Sequence, residues 1–377
     1  MKDPLDRRTL MLGVLGVAGA ALAGCSGDPP GNATTGTTAP ALPDSSASPP
    51  TTDPRPRWPL TGKLVKNAST TEHAPVAVKV PDNKNEHPQV GLDKADIVFV
   101  ELDGYRDADG YSSTRLVPVF HSRMPDGVGP VRSIRPVDVP LLSPVGAIIG
   151  STGAPRAVRN YVAHYRQHVE GRLTYVATKG SGSYTIDPSR VRTYQGVTYY
   201  DRAVLCHPRV LAKQTKRFRN GPQQAYFPFA ETEAEISTTS GKEARIIHVP
   251  WKPGHSYDMS YRYDEKSGRY LRSMPWGPHV LADGTRVATA NILVVRANQR
   301  YAKISGKGHE EPIHDILRAK GTFYYFHGGR YVTGRWAKGA TDQPFQFTLA
   351  DGQPLKMAPG QTYVELPNIR ARVRISA

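Results

Sequence analysis

The run DIVFVE, residues 96–101, places Ile97, Val98, Phe99 and Val100 between two acids, Asp96 and Glu101. Four β-branched and aromatic side chains in succession favour extended backbone, so a strand is expected here. Before it, APVAVKV from Ala74 reads as an earlier strand ending at the turn-forming Pro81-Asp82-Asn83. After it, RLVPVF at residues 115–120 reads as a third strand. Pro118 has no N–H to offer a ladder and predicts an edge or a bulge there. GAIIG, residues 146–150, is a short apolar run of the buried-strand type. Val158, Tyr161, Val162 and Tyr165 recur at three and four and predict a helix over residues 155–165. A second helix is expected over residues 202–218, interrupted at Pro208.

After about Thr232 the pattern changes. Short strands separated by Gly, Pro and Asp turns are expected at residues 246–249, 257–263, 291–296, 322–326, 345–349, 362–366 and 370–375. The fold class is α+β: residues 73–230 mix strands with helices, and residues 243–377 form a mostly β domain.

The ends and the charge speak of location. Arg7 and Arg8 precede an apolar run over residues 10–23, too short to persist as a spanning helix. It ends in Leu22-Ala23-Gly24-Cys25, which resembles the lipobox of bacterial lipoproteins. Residues 1–24 are then a cleaved signal peptide, and Cys25 carries a diacylglyceryl anchor whose chains contribute about 0.8 kcal/mol per buried methylene. Arg7-Arg8-Thr9-Leu10-Met11 also looks like a twin-arginine export signal; a paired arginine in an ordinary signal reads the same way. Residues 25–72 are rich in Gly, Pro, Ser, Thr and Ala without aliphatic periodicity, the composition of a disordered tether. With Cys25 acylated, Cys206 has no partner, and a buried structural thiol is expected. The 377-residue chain has a net charge of +16. Outside a cell such a surface is drawn to phosphate-bearing wall polymers or lipid headgroups rather than to nucleic acid, or is simply a solvated basic surface.

Several unusual blocks recur in a fixed order. They are HPQVGLDKADIV at residues 87–98, Thr114-Arg115, GPVRSIRP at 129–136, GRWAK at 334–338 and PGQTY at 359–363. Together they resemble the YerB-like bacterial lipoproteins, a family defined by a domain of unknown function, over most of the chain from Ala74. The resemblance implies a lipid-anchored envelope protein whose α+β N-terminal domain is a layered sheet and helix sandwich, followed by a smaller β-rich domain. It implies no reaction. The chain departs from the family pattern in LDGYRDADGYSS, residues 102–113, and in His87, where an arginine is common.

GPVRSIRP supplies the site candidates. Ser133 can cap and Pro136 suits a first turn, so a short helix is expected to start here. Arg132 and Arg135 would then share a direction beside free N–H groups and make a phosphate or carboxylate site. Arg115 is the third candidate contact, with Asn83 and Ser151 in support. The competing reading pairs these arginines with Asp96, Glu101 or Asp138 and makes them locks of the fold.

Asp82, Asp96 and Glu101 are the carboxylates that acid–base chemistry would draw on. Asp96 and Glu101, five apart on one strand, point to opposite faces and cannot pair with each other. HEEPIHD, residues 309–315, spaces its histidines five apart across a proline, which defeats the zinc-protease motif and reads as a solvated loop. His121, His164 and His168 supply no ligand set, so neither a metal nor a cofactor is expected. The leading reading is a non-catalytic, membrane-anchored protein binding an anionic wall component or a peptidoglycan-synthesis partner. The alternative is a wall-modifying hydrolase or transferase using Asp96 or Glu101.

Overall fold

The structure, a computed structural model, describes residues 53–106, 112–200, 202–251, 258–304, 306 and 308–377. The signal peptide, the paired arginines, Cys25 and the expected tether as far as Thr52 lie outside the described residues.

In the first half, β1 (Val76–Val78), β2 (Val80–Pro81), β3 (Ile97–Arg106), β4 (Ser112–Phe120) and β5 (Ile148–Gly150) arise from the apolar runs. Four short strands follow: β6 (Tyr184–Ile186), β7 (Arg192–Tyr194), β8 (Val197–Tyr199) and β9 (Val204–Cys206). β6 pairs with β9, and β7 with β8. The helices are α1 (Asp138–Leu142), α2 (Arg156–His164) and α3 (Pro208–Ala212). The helix expected over 202–218 is thus only α3. Val204 and Cys206 are buried with the period of two of a strand, and the helix begins at Pro208, where no N–H is needed.

The second half is nearly all strand: β10 (Lys242–Glu243), β11 (Ile246–Pro250), β12 (Asp258–Asp264), β13 (Arg269–Met274), β14 (Gly277–Pro278), β15 (Ala288–Thr289) and β16 (Asn291–Val295). Then come β17 (Asn298–Ala302), β18 (Glu311–Asp315), β19 (Ala319–His327), β20 (Arg330–Lys338), β21 (Gln346–Leu349), β22 (Thr362–Glu365) and β23 (Arg374–Ser376). The fold is α+β, with the helices confined to the first half and short.

One mixed sheet of eleven strands runs in the order β10-β20-β19-β16-β22-β3-β4-β1-β5, with β2 on β4 and β21 on β20. The second sheet, β14-β13-β12-β11-β23 with β15 on β13, is antiparallel. DIVFVE lies at the joint. β3 is antiparallel to β4 on one side and parallel to β22 on the other, Val98 facing Tyr363 and Val100 facing Glu365. A strand covered on both faces wants an unbroken apolar run, which is what Ile97 to Val100 supply. The two halves therefore share a sheet and one apolar core running from Leu60 to Leu366.

Pro118 sits opposite Val98 inside this sheet. β1 and β2 keep one register along β4 and break opposite it, so the missing N–H falls at the interruption. Freed from β4, Lys79 donates its N–H to Gly150 (3.0 Å) and accepts from Arg132 N–H (2.7 Å).

Residues 53–72 correct the tether boundary. Arg57 bridges Leu64, Leu60 and Thr61 are buried, and Tyr226 N–H donates to Pro59. Gly62, at φ 66°, lies so near the Phe229 ring that a Cβ would come within 2.3 Å of it.

Candidate functional site: a basic cleft beside a buried charge seam

GPVRSIRP runs extended. Val131 N–H bonds Val204, Arg132 N–H bonds Lys79 and Ile134 N–H bonds Gly153, so the segment straps three elements together. The helix expected from Ser133 begins instead at Asp138, whose carboxylate accepts from Arg135 N–H at 2.7 Å. In extended chain, positions 132 and 135 face opposite ways. Arg132 pairs with Glu86, to which Asn83 also donates at 3.3 Å. Arg135 donates to the Asp103 carbonyl at 2.7 Å and pairs with Glu311 at 3.4 Å. Arg115 pairs with Asp103 and donates to the Ser133 carbonyl. Ser151 is buried, and its hydroxyl accepts from Gly153 N–H. The five candidate contacts do not meet in an open pocket. Carboxylates hold all three arginines, as the fold-lock reading required, though by partners it had not named.

Glu311 and His314 belong to β18, which corrects the loop reading of HEEPIHD. Both are buried, and His314 Nε2 accepts from Leu102 N–H at 3.1 Å. Burial, with Lys79 nearby, lowers the His314 pKa to about 3.

The two candidate acids also stay apart. Glu101 is buried against Lys79, whose ammonium bonds Asp138 as well at 2.6 Å. Burial and then the Asp138 charge raise Glu101 to about 8, against the pull of Lys79. Asp96 accepts from the N–H groups of His121 (2.7 Å) and Ser122 (2.6 Å) and from the Ser122 hydroxyl. Burial raises its pKa against those bonds.

A second buried cluster joins the halves. Arg272, at an inward position of β13 between Tyr270 and Met274, bonds Asp82 with both terminal nitrogens, at 2.7 and 3.4 Å. Thr114 donates to the same carboxylate, and His87 Nε2 lies 3.2 Å from it. Burial alone would raise the Asp82 pKa, but Arg272 and His87 carry it well below the carboxylate range. His279 is held neutral by burial and by Arg272: its Nδ1 accepts from the guanidinium at 2.7 Å, and its Nε2 donates to Gln89 at 2.8 Å. Asp82, His87 and His279 have ligand atoms within 4.8 Å of one another. Arg272 already occupies the carboxylate and one imidazole nitrogen, so the donor set suits a guanidinium rather than a metal. An arginine in step with Tyr270 and Met274 was the signal available in the sequence, since an inward arginine demands a buried acid.

The open chemistry lies elsewhere. A cleft of about 430 Å³ is lined by Trp58, Thr61 and Lys63 from the first described segment, Asp96 just before β3, Ser122 and Arg123 just after β4, and Arg269, Gly360 and Gln361 from the second half. Arg269 donates to the Ala288 carbonyl (2.6 Å) and to Gln361 (2.8 Å), and Arg123 to the Asp93 carbonyl (2.9 Å). Among the described residues no carboxylate lies within ion-pair distance of Lys63, Arg123 or Arg269. Burial first, and the neighbouring Arg123 second, depress the Arg269 pKa, against the pull of Tyr363 and Asp93. Asp96 is the one acid in the wall, and its oxygens are taken by His121 and Ser122. Sequence reasoning missed this site because Lys63 fell in the expected tether and Arg269 in the other half.

The chain matches the family profile described as "Protein of unknown function (DUF3048) N-terminal domain" over residues 60–208, and its C-terminal counterpart over residues 247–364. It is 28% identical over 324 residues to the Bacillus subtilis (strain 168) protein named "Putative lipoprotein YerB", covering 82% of this chain and 85% of that protein. The crystal structure of the YerB protein from Bacillus subtilis superposes with a TM-score of 0.64 at 22% identity, covering 85% of this chain and all of that one, and so shares its fold. With both profiles matched in order, on segments that the β3 and β22 pairing joins, the chain belongs to the DUF3048 family.

Proposed function

We propose that this is a lipid-anchored protein of the outer face of the cytoplasmic membrane that binds an anionic wall polymer, without catalysis, in the cleft of Lys63, Arg123 and Arg269. The carrying observation is that these three cations line one cleft and that, among the described residues, none forms an ion pair with a carboxylate within 4 Å. A guanidinium in that state gains most from a phosphate or carboxylate brought by a ligand. Anchoring through Cys25 is supported by Leu22-Ala23-Gly24-Cys25 and by a relative described as a lipoprotein. The wall-modifying alternative is not favoured, because Asp96 and Glu101 face different surroundings and Glu101 is sealed from solvent.

Incubating the chain with isolated wall fractions tests the reading, scoring retention and release of soluble fragments. Retention that falls with Arg123→Ala plus Arg269→Ala, without fragment release, is the expected result. No retention of the wild type would overturn the proposal, and fragment release would overturn its non-catalytic part.

A further inference from the structure

The ribbon of β7 and β8 is in neither of the two large sheets, and among the described residues its strands pair only with each other. Gln195 (φ 50°) and Gly196 (φ 77°) close it with two consecutive left-handed residues, the geometry that matches the twist of a tight hairpin. Register sorts its side chains. Arg192 opposite Tyr199 and Tyr194 opposite Val197 share one face, while Thr193 and Thr198 pair on the other at 3.2 Å. The first face is apolar, aromatic and exposed: Tyr194 at 63%, Val197 at 52% and Tyr199 at 37%. The Arg192 guanidinium lies over the Tyr199 ring, 5.3 Å from its centroid.

A solvent-facing ribbon does not need such a face, and an isolated hairpin is only marginally stable in water. Tyrosines beside an aliphatic residue and an arginine suit the headgroup layer of a bilayer, where rings lie at the apolar boundary and the cation meets phosphate.

We infer that the β7–β8 hairpin docks the protein onto an anionic phospholipid surface. The inference rests on the proposed membrane anchoring. The net charge of +16 favours an anionic surface, and the 27 residues between Cys25 and Asp53 keep the fold within reach of the bilayer.

Vesicle sedimentation of the chain from Ser26 onward, which lacks the acylated cysteine, tests docking separately from acylation. Phosphatidylglycerol–phosphatidylcholine vesicles should pellet it, and Tyr194→Ser plus Val197→Ser plus Tyr199→Ser should lower the bound fraction at least tenfold with the melting temperature unchanged. Arg192→Ala should weaken binding severalfold. Arg123→Ala plus Arg269→Ala should leave vesicle binding intact, which separates this inference from the wall-polymer reading. No pelleting of the wild type would overturn the inference. Unchanged pelleting of the triple variant would overturn it too, assigning the attraction to net charge alone.

Discussion

Arg272 closes on Asp82 across 190 residues of chain, Nη2 to Oδ2 at 2.7 Å, and neither side chain is exposed to solvent. Each family segment supplies one charge of this pair. Neither charge is tolerable in the core without the other, so the pair couples the halves as the β3 and β22 ladder does.

Asp82→Ala should therefore cost about 3–5 kcal/mol, because it leaves a buried guanidinium without its carboxylate. Asp82→Ala with Arg272→Met should recover part of that loss, since the stranded charge is gone. Urea unfolding followed by tryptophan fluorescence checks both, and an unchanged midpoint for Asp82→Ala would refute the coupling.

The contributions of His121, His314 and Glu101 to stability should together peak near pH 6.5. Below that, His121 and His314, held neutral with pKa values near 4 and 3, bind protons only when unfolded, so stability rises as pH climbs from about 4 to 6.5. Glu101 acts in the opposite sense. Raised to about 8, it holds a proton in the folded state that the unfolded chain releases above 4.5, so its contribution falls as pH climbs and is lost above about 8. Between 6.5 and 8 the Glu101 effect is unopposed by the histidines. Glu101→Gln should flatten the decline in that window, as read by denaturation at several pH values.

Retention on wall fractions should respond differently to the two arginine sets. Each of Arg123→Ala and Arg269→Ala removes a charge-assisted contact, about 1.5–3 kcal/mol or a ten- to hundredfold loss, and added salt should weaken wild-type retention in parallel. Arg132→Ala and Arg135→Ala should lower the melting temperature, since Glu86 and Glu311 lose their partners. Retention by folded Arg132→Ala should be unchanged. Melting curves run beside the retention assay separate the two classes.

Leu60→Ala should cost about 2–5 kcal/mol, the range for truncating a buried leucine. A chain starting at His73, which also lacks Trp58 and Lys63, should be less stable still and should lose polymer retention. Wild-type stability of that shorter chain would return residues 53–72 to the tether.

The local readings succeeded where the signal was local. β3 and β4 follow from β-branched runs, and α2 from Val158 and Val162 packing at helical spacing. They failed where distant groups competed. Ser133 did not start a helix because Val204, Lys79 and Gly153 offered the strap's N–H groups carbonyl partners, and Thr152 N–H offered Arg132 a donor. HEEPIHD looked solvated because its polarity is visible in the sequence, whereas Arg135, the partner of Glu311, lies 176 residues away.

By itself, the sequence determined the strand runs, the basic charge, the family blocks and the export-type N-terminus, all properties of residues close together in the chain. Only the tertiary structure decided which cations are neutralised. Arg115, Arg132 and Arg135 meet buried acids, while Lys63, Arg123 and Arg269 converge on a cleft whose one acid, Asp96, is held by His121 and Ser122. A charge is satisfied by its nearest counter-charge in space, and pairing β3 with β22 brings together residues more than 260 positions apart, beyond any spacing rule along the chain.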